Sequence, residues 1–365
     1  MIYLLFMVAI FLAYANGAND NFKGVATVYG SKTLSYKKSL AMSSIATFLG
    51  SICSIFFASA LVKVFSAKGL VPLEIASNTS FLIAVAIAAA TTVMIATISG
   101  LPISTTHSII GALIGAGFIY AGENLNFSTL GNSFLIPLLV SPFIAFALII
   151  AIQYCRKIWA KIVLRKLSLV ENMSPQDNIL IDTMNESYCL QTLEDNPGIL
   201  STGGSIAGNN LTENPEKTLL GRLHIFSAFS VCFARSLNDT PKIAGLILFI
   251  ELFDIELGVF VLGLAMLIGG IIQSRKVAET ISNKITQMDE KEAFSANVVT
   301  AFLVIIASKL GMPVSTTHVS SGSIFALGIS NGKANKAVIL KVILSWLITL
   351  PLAAIIALSI SMILK

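Results

Sequence analysis

Charged residues and cysteines are scarce in this chain, and both shortages restrict the class of protein. Asp, Glu, Lys and Arg make up 12% of the 365 residues, compared with about 25% in a soluble domain. The four cysteines lack the paired spacing of zinc or redox motifs. Hydrophobic residues reach 55%, and the net charge of +5 is what positive cytoplasmic loops supply. We predict an integral membrane protein in a lipid bilayer, with no resident cofactor and no nucleic-acid partner.

The hydrophobic residues are concentrated in ten segments. Most are long enough to span hydrocarbon as a helix, which takes roughly 20 residues, whereas barrel strands would be about half as long. The first segment begins at Met1 without a positive region, so we predict a membrane helix and not a removable signal. The fold class is therefore an all-α integral membrane protein with these segments: 1–16, 39–62, 80–99, 103–121, 132–154, 223–250, 256–273, 293–310, 313–330 and 337–364.

Two short polar motifs each occur twice within this apolar sequence. Gly100–His107 reads Gly-Leu-Pro-Ile-Ser-Thr-Thr-His and recurs with two conservative changes as Gly311–His318. Upstream of each copy lies an acidic motif, Asn19–Lys23 in the first half and Asn238–Lys242 in the second. Polar duplicates inside hydrophobic segments are typical of carrier substrate sites. A channel would show polar lining along whole helices, so we favour a carrier over a channel or an intramembrane enzyme.

A polar stretch separates the two sets of motifs. We predict a first membrane repeat at 1–154, a cytoplasmic linker at 155–221 that opens with a Lys/Arg cluster, and a second repeat at 222–365. Positive loops face the cytoplasm, which places the linker inside and both termini outside a cell (cytoplasmic) membrane. Because each repeat has five segments, the second repeat is predicted to be inverted relative to the first.

The third and fourth segments of each repeat join at the hydroxyl motif. Such a pair either crosses the membrane fully or forms a re-entrant hairpin. The number of membrane crossings in each repeat is odd in both cases. We favour hairpins, since full crossings would leave the two motifs at opposite faces, too far apart to share a ligand.

Each hydroxyl motif is predicted to begin a helix, because Pro102 and Pro313 suit a first helical turn. The free amides and the dipole of a helix start attract a phosphate-like anion, and neighbouring hydroxyls add donors. The alternative is that the hydroxyls only cap their own helices. Three consecutive hydroxyls in both copies favour binding, and the candidate substrate-binding residues are Ser104, Thr105, Thr106, Ser315, Thr316 and Thr317.

A histidine closes each motif. His107 and His318 follow the serines by three residues, so each ring is predicted to lie beside its serine hydroxyl. A Ser-His nucleophile would need an orienting third group and an oxyanion hole, which the sequence does not supply, so we predict no enzyme. We interpret the imidazoles as holding the hairpin tips, with a proton relay as the alternative.

The acidic motifs bring carboxylates into apolar surroundings. Asp20 and Asp239 each lie near a helix-breaking residue and are predicted to occupy unwound helix centres. Carboxylates at that depth mark an ion path or an ion pair. Lys23 and Lys242 follow them by three residues, on the same helical face, so the alternative is a self-neutralising pair. Arg235 is a further buried cation that is predicted to contact an anion.

These motifs resemble those of the inorganic phosphate transporter (PiT) family. Gly17–Asp20 resembles its "GAND" signature, and Pro102–His107 and Pro313–His318 resemble its "P-x-S-T-T-H" signature. The resemblance implies a helical carrier with inverted repeats that imports inorganic phosphate, in some members sulfate, together with sodium ions or protons. It also implies a central site ringed by Asn19, Asp20, Ser104, Thr105, Thr106, Asn238, Asp239, Ser315, Thr316 and Thr317.

The chain departs from the family where the pattern usually reads "N-D-x-x-N", because Lys23 and Lys242 occupy the last position. A fixed ammonium beside each aspartate could supply the charge of a bound sodium ion, which would leave two acids and two bases around the substrate. Lys23 and Lys242 are therefore also candidate substrate-binding residues. We therefore hypothesise transport that depends little on sodium, driven by protons or by the anion gradient. Asp20 and Asp239 are the candidate coupling residues for H⁺ or Na⁺, and phosphate and sulfate both stay open as substrates.

Gly111 and Gly115 form a small-xxx-small pair, which permits close helix contact. The contact is expected either within the fold or between two subunits of a homodimer.

Overall fold

The computed structural model describes residues 1–67, 69–170, 216, 218–249, 254–284 and 288–365. Ten helices of 15 residues or more run through these ranges. Those of the first half are α1 (Ile2–Asp20), α2 (Tyr36–Phe57), α3 (Thr79–Ile98), α4 (Thr105–Tyr120) and α5 (Ile136–Val170). Those of the second half are α6 (Leu219–Leu246), α7 (Ile255–Gln273), α8 (Glu290–Lys309), α9 (Thr316–Ser330) and α10 (Lys336–Leu364).

The helical fold confirms the predicted class, and each helix corresponds to one of the ten apolar segments. In the described residues, seven helices are long and apolar enough to cross a membrane, among them α3 and α8. The helices that follow them, α4 and α9, have 16 and 15 residues, shorter than the roughly 20 residues of a full span. We call each helix–turn–helix pair, α3 with α4 and α8 with α9, a hairpin, and whether a hairpin is re-entrant or crosses the membrane fully stays a prediction. The chain is a multi-pass membrane protein.

The two halves interleave, because helices of one half pack against equivalent helices of the other. Helix α1 packs on α7, and its counterpart α6 packs on α2. The hairpin helix α4 packs on α10, and α9 approaches α5 where Gly322 meets the Pro142 carbonyl. This exchange brings the repeated motifs together, while the inverted orientation of the repeats stays a prediction.

The small-residue pair on α4 is used inside the fold. A Cβ built on Gly111 would lie 2.2 Å from the Leu350 carbonyl oxygen, and one on Gly115 would lie 2.0 Å from that of Ala354. Only glycine allows α4 and α10 to approach this closely. The structure therefore accounts for the pair by contact within the chain.

One compact unit contains Met1–Ile149 together with Pro215–Lys365, and so combines most of both predicted repeats. A second unit runs from Ile150 to Asn214, and its described part is the end of α5. Most of the predicted linker at 155–221 lies outside the described residues, and its boundaries stay a prediction.

Candidate functional site

The first acidic motif lies at the break that the sequence predicts. Helix α1 ends at Asp20, and a 3₁₀ turn, Lys23–Val25, leads into a short helix. Asn19, Asp20 and Lys23 are buried. Lys23 Nζ forms an ion pair with Asp20 Oδ1, so the two charges that the sequence places three residues apart are in direct contact.

The second acidic motif lies inside a continuous helix, so the predicted unwound centre is wrong there. Helix α6 runs through Asn238, Asp239 and Pro241 without interruption. Proline removes one backbone N–H from a helix, and membrane helices tolerate that loss where neighbouring groups satisfy the backbone. Lys242 Nζ lies 3.1 Å from Asp239 Oδ1, so the ion pair forms here on one helical face.

The two hairpin turns have the same backbone geometry. In the first, Gly100 adopts φ +69°, and the amides of Gly100 and Leu101 donate to the Thr97 and Ala96 carbonyls. This is a Schellman motif, which requires a left-handed residue and so favours glycine. Gly311 repeats the conformation with φ +69°. The turn therefore ends α3 and α8 in one way and directs the chain into the motif.

The motif helices begin at Thr105 and Thr316, three residues after the prolines that were predicted to lie in their first turns. Ser104 and Ser315 are the N-caps, and their Oγ atoms accept from the backbone N–H of His107 and His318. The prolines lie before the caps and outside the helices, and each serine has an extended backbone, which lets its hydroxyl reach that amide. The capping interpretation is correct for the serines and leaves both threonines of each motif free for other contacts.

The two repeats meet through crosswise contacts between lysines and threonines. Lys23 Nζ lies 2.7 Å from Thr317 Oγ1, on the hairpin of the other repeat. Lys242 Nζ lies 2.6 Å from Thr106 Oγ1, again across the two repeats. The structure thus places the acidic and hydroxyl motifs of both halves in one cluster.

The asparagines of the acidic motifs attach the end of α1 and the middle of α6 to the hairpin of the same repeat. Asn19 Nδ2 donates to Thr97 Oγ1 at 2.9 Å, and Asn19 Oδ1 accepts from the Ile103 amide at 3.2 Å. Asn238 Nδ2 donates to the Val314 carbonyl at 3.1 Å and lies 3.4 Å from Thr316 Oγ1. These side chains position the hairpin tips against the carboxylates.

Asn16 joins the two carboxylates and is a site residue that the motifs did not reveal. Its Nδ2 lies 3.2 Å from both Asp20 Oδ2 and Asp239 Oδ2, and 3.0 Å from Thr105 Oγ1. Asn16 precedes Asp20 by one helical turn, which places both on one face. When the two acidic motifs are aligned, Asn16 occupies the position of Arg235, and this alignment could have identified it.

Arg235 is fully buried and breaks the symmetry between the repeats. Its Nη1 donates to Asn16 Oδ1 at 3.0 Å and lies 3.9 Å from Asp239 Oδ2, while Nη2 donates to Thr47 Oγ1 at 2.7 Å. A buried guanidinium of this kind holds a permanent positive charge beside the carboxylates.

The buried charges of the described residues do not cancel. Setting the histidines aside, the buried charged side chains are Asp20, Lys23, Arg235, Asp239 and Lys242. Three positive and two negative charges give a formal sum of +1. Because isolated charge is costly inside a membrane, this cluster favours an anion.

Several hydrogen-bond donors at the cluster are not used within the helices. The amides of Thr105, Thr106, Thr316 and Thr317 belong to the first turns of α4 and α9, where no preceding helical carbonyl is available. They add two helix-start dipoles to the net positive charge. An oxyanion placed between the hairpin tips would accept hydrogen bonds from these amides and from the Thr316 hydroxyl.

The histidine rings contact each other and not the serines, so the predicted ring-to-hydroxyl contact is wrong. The centroids of His107 and His318 are 4.4 Å apart in an edge-to-face arrangement. His107 Nδ1 lies 3.2 Å from the Trp346 carbonyl, and the His318 ring packs 4.0 Å from the Trp346 ring. The pair therefore links the two hairpins to α10.

The fold and the site together are those of a membrane transport protein. Its buried charges lie where the two helical halves interleave. Two helix starts and a positive charge excess converge there, away from the lipid-facing surface. Residues 16–357 match the phosphate transporter family, and the chain belongs to that family. The family is one of transporters and not of enzymes, which confirms the resemblance and the predicted absence of enzymatic activity.

Relatives match along nearly the whole chain. A candidate phosphate permease of Thermococcus kodakarensis is 27% identical over 95% of this chain and 93% of its own length. The chloroplastic inorganic phosphate transporter 2-1 of Arabidopsis thaliana is 22% identical over 97% of this chain and 70% of its own. A solved structure described as the sodium-dependent phosphate transporter has TM-score 0.77 and 21% identity, covering 100% of this chain and 98% of that chain. That similarity shows a shared fold.

Proposed function

We propose that this protein imports inorganic phosphate across the cytoplasmic membrane by alternating access, with the anion bound between the two hairpin tips. The observation that carries the proposal is the convergence of two helix starts on a buried cluster with a formal charge of +1. Amides and hydroxyls at helix starts are the donors that tetrahedral oxyanions bind. Family membership gives the substrate class, and the geometry supports the position.

The charge balance favours phosphate over sulfate. A monovalent dihydrogen phosphate ion would bring the formal sum of the buried cluster from +1 to zero. Sulfate, which has no proton near neutral pH, would bring it to −1. Because unbalanced charge is expensive in a membrane interior, the cluster suits the protonated monoanion better.

Asp20 is the stronger candidate for proton coupling. Its Oδ2 lies 3.2 Å from both Asn16 Nδ2 and Thr105 Oγ1, so it connects α1 to the start of α4. Protonation of this carboxylate would change its bonding to the hairpin tip, which links the coupling group to a moving element. Asp239 occupies the equivalent position and could serve the same role with H⁺ or Na⁺.

The direction of transport follows the predicted topology, with the 155–221 linker inside and both termini outside. The two hairpin tips would be alternately exposed to either side as the halves move against each other. Access of membrane-impermeant thiol reagents to single cysteines introduced at residues 2 and 365 of a cysteine-free variant would test this orientation.

Uptake of radiolabelled phosphate into reconstituted vesicles tests the function. The variant Thr316→Val keeps the shape of the side chain and removes a hydroxyl at the start of α9. Losing a hydrogen bond to a charged group costs about 1.5–3 kcal/mol, which corresponds to a KM about 10- to 150-fold higher. The control is Thr91→Val, a partly exposed position on α3, which should leave the KM unchanged.

Unlabelled sulfate is added as a competitor in the same assay. We expect weak competition in the parent protein. Sulfate that competes as well as unlabelled phosphate, or a Thr316→Val variant with the parent KM, would contradict the proposed site.

A further inference from the structure

Lys23 is surrounded by oxygen atoms in a buried position. Its Nζ contacts Asp20 Oδ1, the Ile103 carbonyl oxygen at 2.5 Å and Thr317 Oγ1 at 2.7 Å. The three partners are a carboxylate, a backbone carbonyl at a hairpin tip and a hydroxyl from the opposite repeat.

Lys242 has the same surroundings in the other repeat. Its Nζ lies 3.1 Å from Asp239 Oδ1, 2.7 Å from the Val314 carbonyl oxygen and 2.6 Å from Thr106 Oγ1. The chemical types of the three partners are identical to those around Lys23. The arrangement is thus a repeated feature of the fold.

The number of partners suits a charged amine. A protonated lysine has three N–H donors and a neutral one has two, so three oxygen partners match the ammonium form. With all three donors engaged, neither lysine has an N–H left for a bound anion in this conformation. Their role therefore differs from that of the amides and hydroxyls at the helix starts.

The oxygen shells resemble those that hold metal cations. Carboxylate, carbonyl and hydroxyl oxygens are the ligands of hard cations, and backbone carbonyls at broken helices coordinate sodium in other transporters. We propose that Lys23 and Lys242 are tethered cations that fill two cation positions, so that phosphate uptake by this protein requires no sodium ion. The proposal rests on the proposed phosphate transport.

The contacts of the Asp20 carboxylate leave few of its lone pairs to bind an added cation. Its Oδ1 pairs with Lys23, and its Oδ2 lies within 3.2 Å of both Asn16 Nδ2 and Thr105 Oγ1. A sodium ion in this cluster would also raise the formal buried charge from +1 to +2 before any anion bound. Both the ligand count and the charge oppose a bound sodium.

Phosphate uptake in two buffers tests the parent protein. Vesicles with the same imposed pH gradient are assayed in sodium chloride and in choline chloride. We expect initial rates within about twofold of each other, whereas removal of a coupling ion would lower apparent affinity about 5- to 150-fold. Radioactive sodium added outside should not accumulate with phosphate.

A double variant tests the role of the lysines directly. Lys23→Asn with Lys242→Asn removes both ammonium groups and leaves a short neutral side chain with an oxygen ligand beside each carboxylate. We expect sodium to raise both the uptake and the thermal unfolding temperature of this variant in detergent, and to change neither in the parent. The control is Lys37→Asn at an exposed position, which should behave like the parent.

The outcomes separate the two proposals. Uptake by the parent protein that requires sodium would overturn the tethered-cation proposal and leave phosphate transport intact. A double variant whose unfolding temperature does not respond to sodium would also overturn it, even if that variant transports poorly. No phosphate uptake in either buffer would overturn the proposed function and this inference with it.

Discussion

Removing one ammonium from the buried cluster should destabilise the protein far more than removing one from its surface. The variant Lys23→Met takes the ion partner from Asp20 and keeps the length of the side chain. Breaking a buried ion pair by removing one partner costs about 3–5 kcal/mol, because the other charge stays buried without its direct partner. Asn16 and Thr105 still contact Asp20, so we expect a value near the lower limit, about 3 kcal/mol.

The matched control is an ion pair of the same chemistry at the surface. Lys38 Nζ lies 2.6 Å from Glu216 Oε2, and the two side chains are 59% and 30% exposed. Exposed pairs contribute about 0–1 kcal/mol, so Lys38→Met should have a small effect. Each variant removes one ammonium from one carboxylate, and the buried variant also loses the contacts of Lys23 with the Ile103 carbonyl and the Thr317 hydroxyl. Both differences follow from the buried position of Lys23.

A second substitution separates the charge from the shape of the site. In the double variant Asp20→Asn with Lys23→Met, the unpaired carboxylate is gone, so we expect the unfolding free energy to recover part of the loss. The double-mutant cycle then gives the coupling between the two positions.

Unfolding by a denaturing detergent, followed by near-ultraviolet circular dichroism, measures these free energies. The reasoning fails if Lys23→Met is as mild as Lys38→Met. It also fails if the double variant is no more stable than Lys23→Met alone, because the loss would then come from packing and not from unpaired charge.

Two further predictions concern helix contact and the bridge between the carboxylates. In Gly115→Ala the new Cβ would lie 2.0 Å from the Ala354 carbonyl oxygen, so thermal unfolding should show that stability falls by about 1–3 kcal/mol. The control is Gly131→Ala, where nothing lies within 4 Å of the new Cβ, and its stability should not fall. Equal effects of the two substitutions would contradict the close contact. Asn16→Ala removes a donor shared by two carboxylates, so phosphate uptake should fall about 10- to 150-fold. The control is Asn132→Ala at an exposed position, which should keep the parent rate of uptake. A fully active Asn16→Ala variant would exclude Asn16 from the site.

Much of the fold followed from local sequence. The ten helices coincide with ten apolar segments, because hydrophobic length alone decides whether a segment can lie in hydrocarbon. The hairpin turns were marked by Gly100 and Gly311, and the helix starts by the Ser-Thr-Thr runs. The exact helix starts were misplaced at Pro102 and Pro313, since proline suits both a first helical turn and the non-helical chain before a cap.

Two predictions made from local sequence were wrong. Pro241 suggested a broken helix beside Asp239, yet α6 continues through it. The histidines were assigned to their own serines by helical spacing, but their rings meet across the two hairpins. For the histidines the decisive contacts come from residues on other helices, which spacing along one helix cannot indicate.

The sequence by itself determined a membrane protein with duplicated polar motifs, because composition, segment length and repetition are properties of the chain alone. Only the tertiary structure decided that each lysine contacts the threonine of the opposite repeat, and that Asn16 lies between two carboxylates. Those contacts join residues more than 100 positions apart. These contacts exist because helices of one half pack against helices of the other half. No local sequence pattern predicts that packing.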